Sequence, residues 1–332
     1  MNPEKHISVV IANYNGETTI RKCLEALFSS NYRNFEVVVV DDHSKDNSVD
    51  IIRKFPCKLI CLDKRTGAAE ARNIGAGHSS GDIIFFTDAD CLVRENTLSI
   101  INRDFPAADP DIIMGGTYTK IPHDKGFFSL FQSVFINYSE TRKPDAPDYI
   151  ATHAMVIHAD TFRENSGFTG DFLPILEDVE FSHRLKKAGR RLVMVPDIQV
   201  QHIFNYSLAG SLRNAVRKSM YWTMYSLKNR DLFADSGTAS AELKTNAVSY
   251  FLSLLFLGLW LISEIPVFLY VLLFIFLLNG FVNRGLLKAF YKAKGTAFTG
   301  LASIYYLLFY PIPVGTGVIS GIIGFLSNRR RL

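Results

Sequence analysis

Two carboxylates, Asp88 and Asp90, stand either side of one alanine at the end of IIFFTDAD, a run of bulky apolar side chains closed by a threonine. A buried carboxylate is unfavourable unless it is paired, hydrogen-bonded or bound to a metal. Either the strand has just reached the surface, or the acids hold a cation. Alternation along an extended chain is expected to put both carboxylates on one side. Two acids converging there suit a hard divalent cation that keeps open positions for phosphate oxygens. The spacing by itself is weak, because about one such match is expected by chance in a chain of this acid content. Asp109-Pro-Asp111 is a second match, in a turn-like DPD, and is assigned no function.

Other residues able to do chemistry lie further on. Glu177 and Asp178 open LEDVEFSHRLKKAG, which reads as an amphipathic helix. Acids in a first turn are favoured by the helix dipole, so a structural reading stands beside that of a catalytic base. His202 follows a predicted strand, RLVMVPDIQV; a lone histidine there most simply makes an ordinary hydrogen bond. Arg184, Lys186, Lys187, Arg190 and Arg191 read as a solvated helix face.

The elements that must position these groups are legible. ISVVIA (7–12), FEVVVVDD (35–42), KLICL (58–62) and DIIFFTD (82–88) are short apolar runs rich in β-branched residues. ETTIRKCLEALFSS, SVDIIRKF and AAEARNIGAGHSS between them have helical spacing. That alternation predicts an α/β fold with a parallel sheet covered on both faces. Ligands of such sheets bind beyond the carboxyl ends of the strands. Asn13-Tyr14-Asn15-Gly16 follows the first strand, Asp41-Asp42 the second and Asp88-Ala89-Asp90 the fourth, so polar groups gather on one edge.

The ordered blocks VVIANYNGETTIRKCLEAL, FEVVVVDDHSKDNS, GAAEARNIGAGHSSGDIIFFTDAD and LEDVEFSHRLKKAG resemble family 2 glycosyltransferases over roughly residues 5–205. The resemblance implies the GT-A fold, a Rossmann-like, mostly parallel mixed sheet with helices on both faces. It also implies inverting transfer of a sugar from a nucleotide-sugar donor. Carried over by position, Asn13, Tyr14, Asp41, Asp42, Arg72 and Asp88 bind the nucleotide-sugar. Tyr14 and Asp42 contact the base with Asp41 nearby, Arg72 reaches the ribose or diphosphate, and Asp88 lies at the ribose. Asp90 holds Mg2+ or Mn2+ with Asp88, and His202 is a candidate third ligand. Asp178 becomes the base for the acceptor hydroxyl, and Glu177 orients the loop or binds an acceptor hydroxyl. His153, in ATHAM, departs from the small and polar residues usual near the sugar.

The chain of 332 residues has a net charge of +4, too small to suggest a nucleic-acid binder. Its four cysteines make no disulfide framework and read as reduced core thiols; Cys57 and Cys61 lack a second pair for a metal site. The amino-terminal MNPEKHISVV has no signal-peptide stretch, so this end is expected to be cytosolic. From Ala247 to Val282 the one charge is Glu264, beside Pro266 in SEIP, and Thr296 to Ser327 carries none. A crossing takes about 20 apolar residues, so the first run is long enough for a hairpin turning at SEIP. The second run is expected to break at Pro311-Ile312-Pro313. Arg284, Lys288, Lys292, Lys294 and Arg329–Arg331 are expected on the cytosolic side, with two to four spans. Residues 206–245, with Arg213, Arg217, Lys218, Lys228 and Arg230 among Leu208, Leu212, Val216 and aromatics, suit an interfacial amphipathic linker, or a helix packed on the head.

The expected organisation is therefore a cytosolic GT-A domain over 1–205, the linker over 206–245 and a transmembrane region over 246–332. The expected activity is metal-dependent glycosyl transfer to a lipid-linked or polyprenyl-phosphate acceptor at a cell membrane, in glycan or cell-envelope synthesis. Nucleotidyl transfer is the rival chemistry, but it calls for a basic triphosphate loop, and NYNGETT has no lysine or arginine. A catalytically silent membrane scaffold is the other rival, disfavoured by the intact acids.

Overall fold

The early apolar runs become strands because near-continuous Val, Ile and Phe can be buried only in a sheet covered on both faces. In the computed structural model, which describes residues 4–106, 109–170 and 174–328, they are β1 (Ile7–Asn13), β2 (Phe35–Asp41), β3 (Lys58–Cys61) and β4 (Ile83–Asp88). With β5 (Cys91–Val93), β6 (Ile112–Tyr118), β7 (Met155–His158) and β8 (Arg191–His202) they form an eight-stranded sheet, ordered β3-β2-β1-β4-β7-β6-β8-β5. The four early strands are parallel, β6 and β8 are parallel, and β7 and β5 run antiparallel to their neighbours. The sheet is mixed, as expected.

β2 lies on one side of β1 and β4 on the other, so the connections diverge at the carboxyl ends of β1 and β4 and open a crevice there. Asn13 pairs with Asp41 and Ala12 with Asp88, which sets the polar ends of three strands at one level. One expectation fails at this edge. β4 stops at Asp88, and Ala89 and Asp90 form a turn before β5. Alternation therefore does not relate the two carboxylates; the chain bends between them.

Up to Lys187 the helices are α1 (Ile20–Phe28), α2 (Ser48–Ile52), α3 (Ala68–Gly77), α4 (Thr97–Asp104), α5 (Phe127–Thr141), α6 (Ala159–Glu164) and α7 (Glu177–Lys187). α1 buries Ile20, Cys23, Leu24 and Leu27, one stripe at helical spacing. α3 lies close on the sheet: a Cβ on Gly75 would stand 2.5 Å from Val10 Cγ1, so only glycine permits this approach. α7 is pinned by aromatic packing. Phe181 lies 5.3 Å from Phe162 and 5.0 Å from Phe168, and both of those rings pack on Phe86 of β4 at 5.0 and 5.2 Å. That cluster carries the first turn of α7 to the strand ends.

The basic residues read as a solvated face are mostly paired. Arg184 donates to Glu180 at 3.0 Å and to the Gly167 carbonyl at 2.6 Å, and Lys186 lies 3.4 Å from Asp148. Arg190 pairs with Asp111 and Arg191 with Asp109, so the second Asp-x-Asp is an anchor for the start of β8.

The chain divides into two compact units, Met1–Lys125 with Glu140–Asn205, and Gly126–Ser139 with Tyr206–Leu332. Most of α5 thus groups with the carboxyl-terminal helices, because its aromatic face is buried there: Phe131 lies 4.8 Å from Tyr305 and 5.5 Å from Phe290. The second unit also holds α8 (Leu208–Asn229), α9 (Ala241–Ser263), α10 (Val267–Val282), α11 (Arg284–Ile304) and α12 (Pro311–Asn328). α8 leaves Arg213, Arg217 and Lys228 exposed and buries Trp222 and Tyr225. α12 packs against α8 so closely that a Cβ on Gly317 would stand 2.5 Å from the Val216 carbonyl.

The SEIP turn separates α9 from α10, with Glu264 in the left-handed region at φ 57°. The second apolar run is interrupted by non-helical Lys294 and Gly295 and by a π turn over Tyr305–Phe309, directly before Pro311. In that turn Tyr310 N donates to Tyr305 O at 2.9 Å. The next bond in this register would need an N–H on Pro311, which has none. Asn246 supplies the missing donor, its Nδ2 reaching Tyr306 O at 2.7 Å. Ala241–Ser263 and Arg284–Ser327 are long and apolar enough to cross a membrane by length and composition. Arg329–Arg331 lie outside the described residues.

Candidate active site

The loops after β1 and β2 are clasped to each other. Asn13 Nδ2 donates to Asp41 Oδ1 at 2.7 Å, and Asp41 also accepts from Ser44 N at 2.9 Å and Ser44 Oγ at 2.6 Å. Asp42 accepts from Thr66 N at 2.6 Å, Thr66 Oγ1 at 3.1 Å and Gly67 N at 2.9 Å, fastening the entry to α3. Asp41 and Asp42 are each 2% exposed. A carboxylate has about four acceptor positions, so Asp42 has one left for a ligand. Tyr14 stands at the rim, 40% exposed, with the Arg65 guanidinium 3.9 Å from its ring centroid. The sequence reading missed Arg65; nothing in KRTG singles it out.

Deeper in the crevice, Arg72 of α3 joins two distant acids. Its Nη2 donates to Asp88 Oδ1 at 2.7 Å and its Nη1 to Glu177 Oε1 at 2.6 Å. Burial alone would lower the Arg72 pKa, but the charges of Asp88 and Glu177 outweigh it and raise the value. Burial pushes the Asp88 carboxyl up, but the charge and hydrogen bond of Arg72, together with His153 and His202, outweigh it and leave the carboxyl below the usual range. Asn73, the next residue of α3, clamps the Phe168 backbone, donating to its carbonyl at 2.8 Å and accepting from its N–H at 2.9 Å. The sequence reading passed over Asn73, although it adjoins Arg72 in the ARN segment.

Asp178 has a different environment. Its carboxylate accepts from Val179 N at 2.9 Å and Thr152 N at 3.3 Å. Desolvation, and then the charge of Glu177, push it up to about 6, against the opposing pull of Arg72. It is therefore ionised near neutral pH yet basic enough to take up a proton. His153 follows Thr152, the residue whose N–H donates to Asp178, in the short turn Thr152–Ala154, with Nε2 3.4 Å from Glu140 Oε2. Burial lowers the His153 pKa, but Glu140, with Asp88 and Asp178, outweighs burial and raises it overall. Tyr118 stacks on His153 at 4.0 Å.

Asp90 and His202 meet where β5 pairs with β8. His202 Nε2 is 3.4 Å from Asp90 Oδ1, and Asp90, Cys91 and His202 each bring one ligand atom within 4.8 Å of the others. Desolvation and then the charge of Asp88 push Asp90 up to about 7, although its side chain remains 40% exposed at the crevice mouth. A carboxyl whose ionisation is opposed in this way, facing an imidazole, fits a divalent cation. Asp88 is not part of that trio; its Oδ1 is held by Arg72. The residues picked out in the sequence thus fall into three groups along one sheet edge: Asn13, Tyr14, Asp41 and Asp42; Arg72, Asp88, Glu177 and Asp178; and Asp90 with His202. Cys91, read only as a core thiol, joins the last of them.

Residues 8–161 match the model of glycosyl transferase family 2. The chain is 31% identical over 127 residues to glycosyltransferase GlyG of Streptococcus pneumoniae, covering 37% of this chain and 42% of that protein. It is 38% identical over 87 residues to the Escherichia coli enzyme WfaP, a UDP-Glc:alpha-D-GlcNAc-diphosphoundecaprenol beta-1,3-glucosyltransferase, covering 25% of this chain and 35% of that one. The chain thus matches less than half the length of either relative. Its fold resembles that of the mannosyltransferase PcManGT from Pyrobaculum calidifontis, solved in complex with GDP-Man and Mn2+, with a TM-score of 0.59 and 18% identity over 99% of this chain and 89% of that one. Residues 8–161 thus match the family 2 glycosyltransferases, and the fold is GT-A-like.

Proposed function

We propose that this chain is a family 2 glycosyltransferase: a membrane-anchored, inverting, metal-dependent enzyme that transfers a sugar from a nucleotide-sugar to a lipid-linked or polyprenyl-phosphate acceptor at the cytoplasmic face of a cell membrane. The observation that carries the reading is the division between Glu177, tied to Arg72, and Asp178, which keeps a raised pKa at the same crevice. In this reading Tyr14 and the remaining acceptor position of Asp42 take the base of the nucleotide. Arg72 holds Asp88 and Glu177 in place on the ribose and diphosphate side. Asp90 and His202 hold Mg2+ or Mn2+. When bound, the ion supplies Lewis-acid neutralisation of the departing nucleoside diphosphate. Asp178 removes the proton of the acceptor hydroxyl as it attacks the anomeric carbon from the opposite face.

Two features support a lipid-linked acceptor. The second unit exposes Leu261, Ile262, Tyr270, Phe274 and Phe276 at 64% or more, which suits contact with lipid rather than water. WfaP, by its name, acts on a diphosphoundecaprenol-linked sugar. The deciding experiment screens nucleotide-sugars by thermal shift on the full-length protein in detergent, with and without Mn2+, and then offers the best donor polyprenyl phosphate, a lipid-linked saccharide and free saccharides. The expected result is metal-dependent stabilisation by one nucleotide class and an inverted glycosyl product on a lipid. Transfer to free saccharides alone would overturn the lipid-acceptor reading, and no transfer from any stabilising donor would overturn the enzyme reading.

A further inference from the structure

Three donors of different hardness stand at the junction of β5 and β8. Cys91 and His202 are directly opposed in an antiparallel pair, so their side chains leave the sheet on one face, about 5 Å apart at Cβ. Asp90 precedes Cys91 in the turn, and its Oδ1 lies 3.4 Å from His202 Nε2 and 3.7 Å from Cys91 Sγ. Atoms bound about 2.0–2.3 Å from one ion lie at most about 4.6 Å apart. The observed separations, none above 4.8 Å, therefore close on an ion with small side-chain rotations.

We infer that Cys91 is a third protein ligand at the metal site of Asp90 and His202, and that the oxygen, nitrogen and sulfur donors together select Mn2+, Co2+ and Zn2+ over Mg2+. The inference rests on the reading of Asp90 and His202 as metal ligands. Mg2+ requires near-octahedral oxygen coordination and gives up water reluctantly, so a site offering one carboxylate beside an imidazole and a thiolate suits it poorly. Nitrogen and sulfur donors favour the later ions, with affinity rising from Mn2+ through Co2+ towards Zn2+. Binding breaks the Sγ–H bond, forms an Sγ–metal bond and releases the proton to solvent, with no change of oxidation state. Cys91 is fully buried, so it also fills core space; a thiol with that role alone would leave metal preference unchanged on replacement.

The test uses the full-length protein in detergent carrying Cys57→Ser and Cys61→Ser, which removes the two less buried thiols. Mn2+ binding is followed by loss of the free-ion paramagnetic resonance signal, and Co2+ binding by absorbance. The expected result is a thiolate-to-cobalt charge-transfer band that Zn2+ abolishes and a large excess of Mg2+ does not. Cys91→Ser should reduce the band to baseline and narrow the preference of Zn2+ over Mn2+, while metal-free melting shows that the variant is folded. The parent band is itself a readout should that variant not fold. A band that survives Cys91→Ser, or Mn2+ binding with no cobalt band in the parent, would overturn the thiolate ligand and leave Asp90 and His202 standing. Absence of any Mn2+ or Co2+ binding by the parent would overturn the metal site itself.

Discussion

Arg72 Nη1 donates to Glu177 Oε1 at 2.6 Å, linking α3 to the first residue of α7 across 105 positions of sequence. Asp178, one residue further on, has no lysine or arginine ion partner among the described residues. Two adjacent acids are thereby made chemically different. The one with the cation is held in place by it, while the other can exchange a proton near neutral pH.

Asp178→Asn should lower turnover at saturating donor by about 10²–10⁴-fold, the usual contribution of a general base. Nucleotide affinity should stay within a factor of about two. Near-normal turnover would remove Asp178 from the mechanism and direct attention to Glu180; lost nucleotide binding would place it on the donor side.

The same residue sets a pH dependence. Its folded pKa, about 6, lies above its ordinary value, so the folded state holds this proton more tightly than the unfolded chain. Its contribution to stability is therefore present at low pH and is lost as pH rises towards 6. Asp178→Asn should melt no lower than the parent at pH 7.5. The parent transfer rate should fall about tenfold per pH unit below 6. A flat rate profile from pH 5 to 7 would contradict the assignment.

Arg72→Ala leaves the carboxylates of Asp88 and Glu177, whose side chains are 29% and 14% exposed, without their shared cation. The expected loss is about 3–5 kcal/mol, measured by denaturant unfolding of the full chain in detergent. Arg72→Lys should recover only part of it, because one ammonium cannot reproduce the two-pronged geometry. A loss below about 1 kcal/mol would reduce the bridge to the rank of a surface pair.

Asn246→Leu should expose the weak point of the second apolar run. It removes the donor to Tyr306 O and the acceptor for Asn279 Nδ2, which is bonded at 2.9 Å. A melting shift corresponding to about 1–3 kcal/mol is expected in detergent. An unchanged melting temperature would mean that the π turn satisfies itself without Asn246.

A chain ending after Asn205 should not behave as a simple water-soluble head. Phe131 and Phe135 of α5 are buried against Phe290, Tyr305 and Tyr306, all of which the cut removes. Aggregation, or continued sedimentation with membranes, is expected by ultracentrifugation. Replacing Phe131 and Phe135 by polar residues in the shortened chain should bring it into the supernatant; a monodisperse shortened chain without those replacements would contradict this account.

The strands, the helices between them and the apolar runs were legible in the sequence, because each depends on local periodicity that a short window records. The polar edge was legible too, since the residues that end parallel strands must emerge together. What the local pattern could not settle was the fate of each carboxylate. Asp41 and Asp42 read as ligand contacts, yet loops at Ser44 and Thr66–Gly67 engage most of their acceptor positions. Asp88 and Asp90 read as a matched pair, yet a turn at Ala89-Asp90 gives one to Arg72 and sets the other against His202. Cys91 read as filler until β5 paired with β8 and set it opposite that histidine. α5 read as part of the head until its aromatic face met helices more than 140 residues away. The physical reason is the same in each case. Burial pattern and propensity belong to neighbouring residues, whereas hydrogen-bond saturation, charge pairing and desolvation are fixed by groups far apart in sequence, and only folding brings those together.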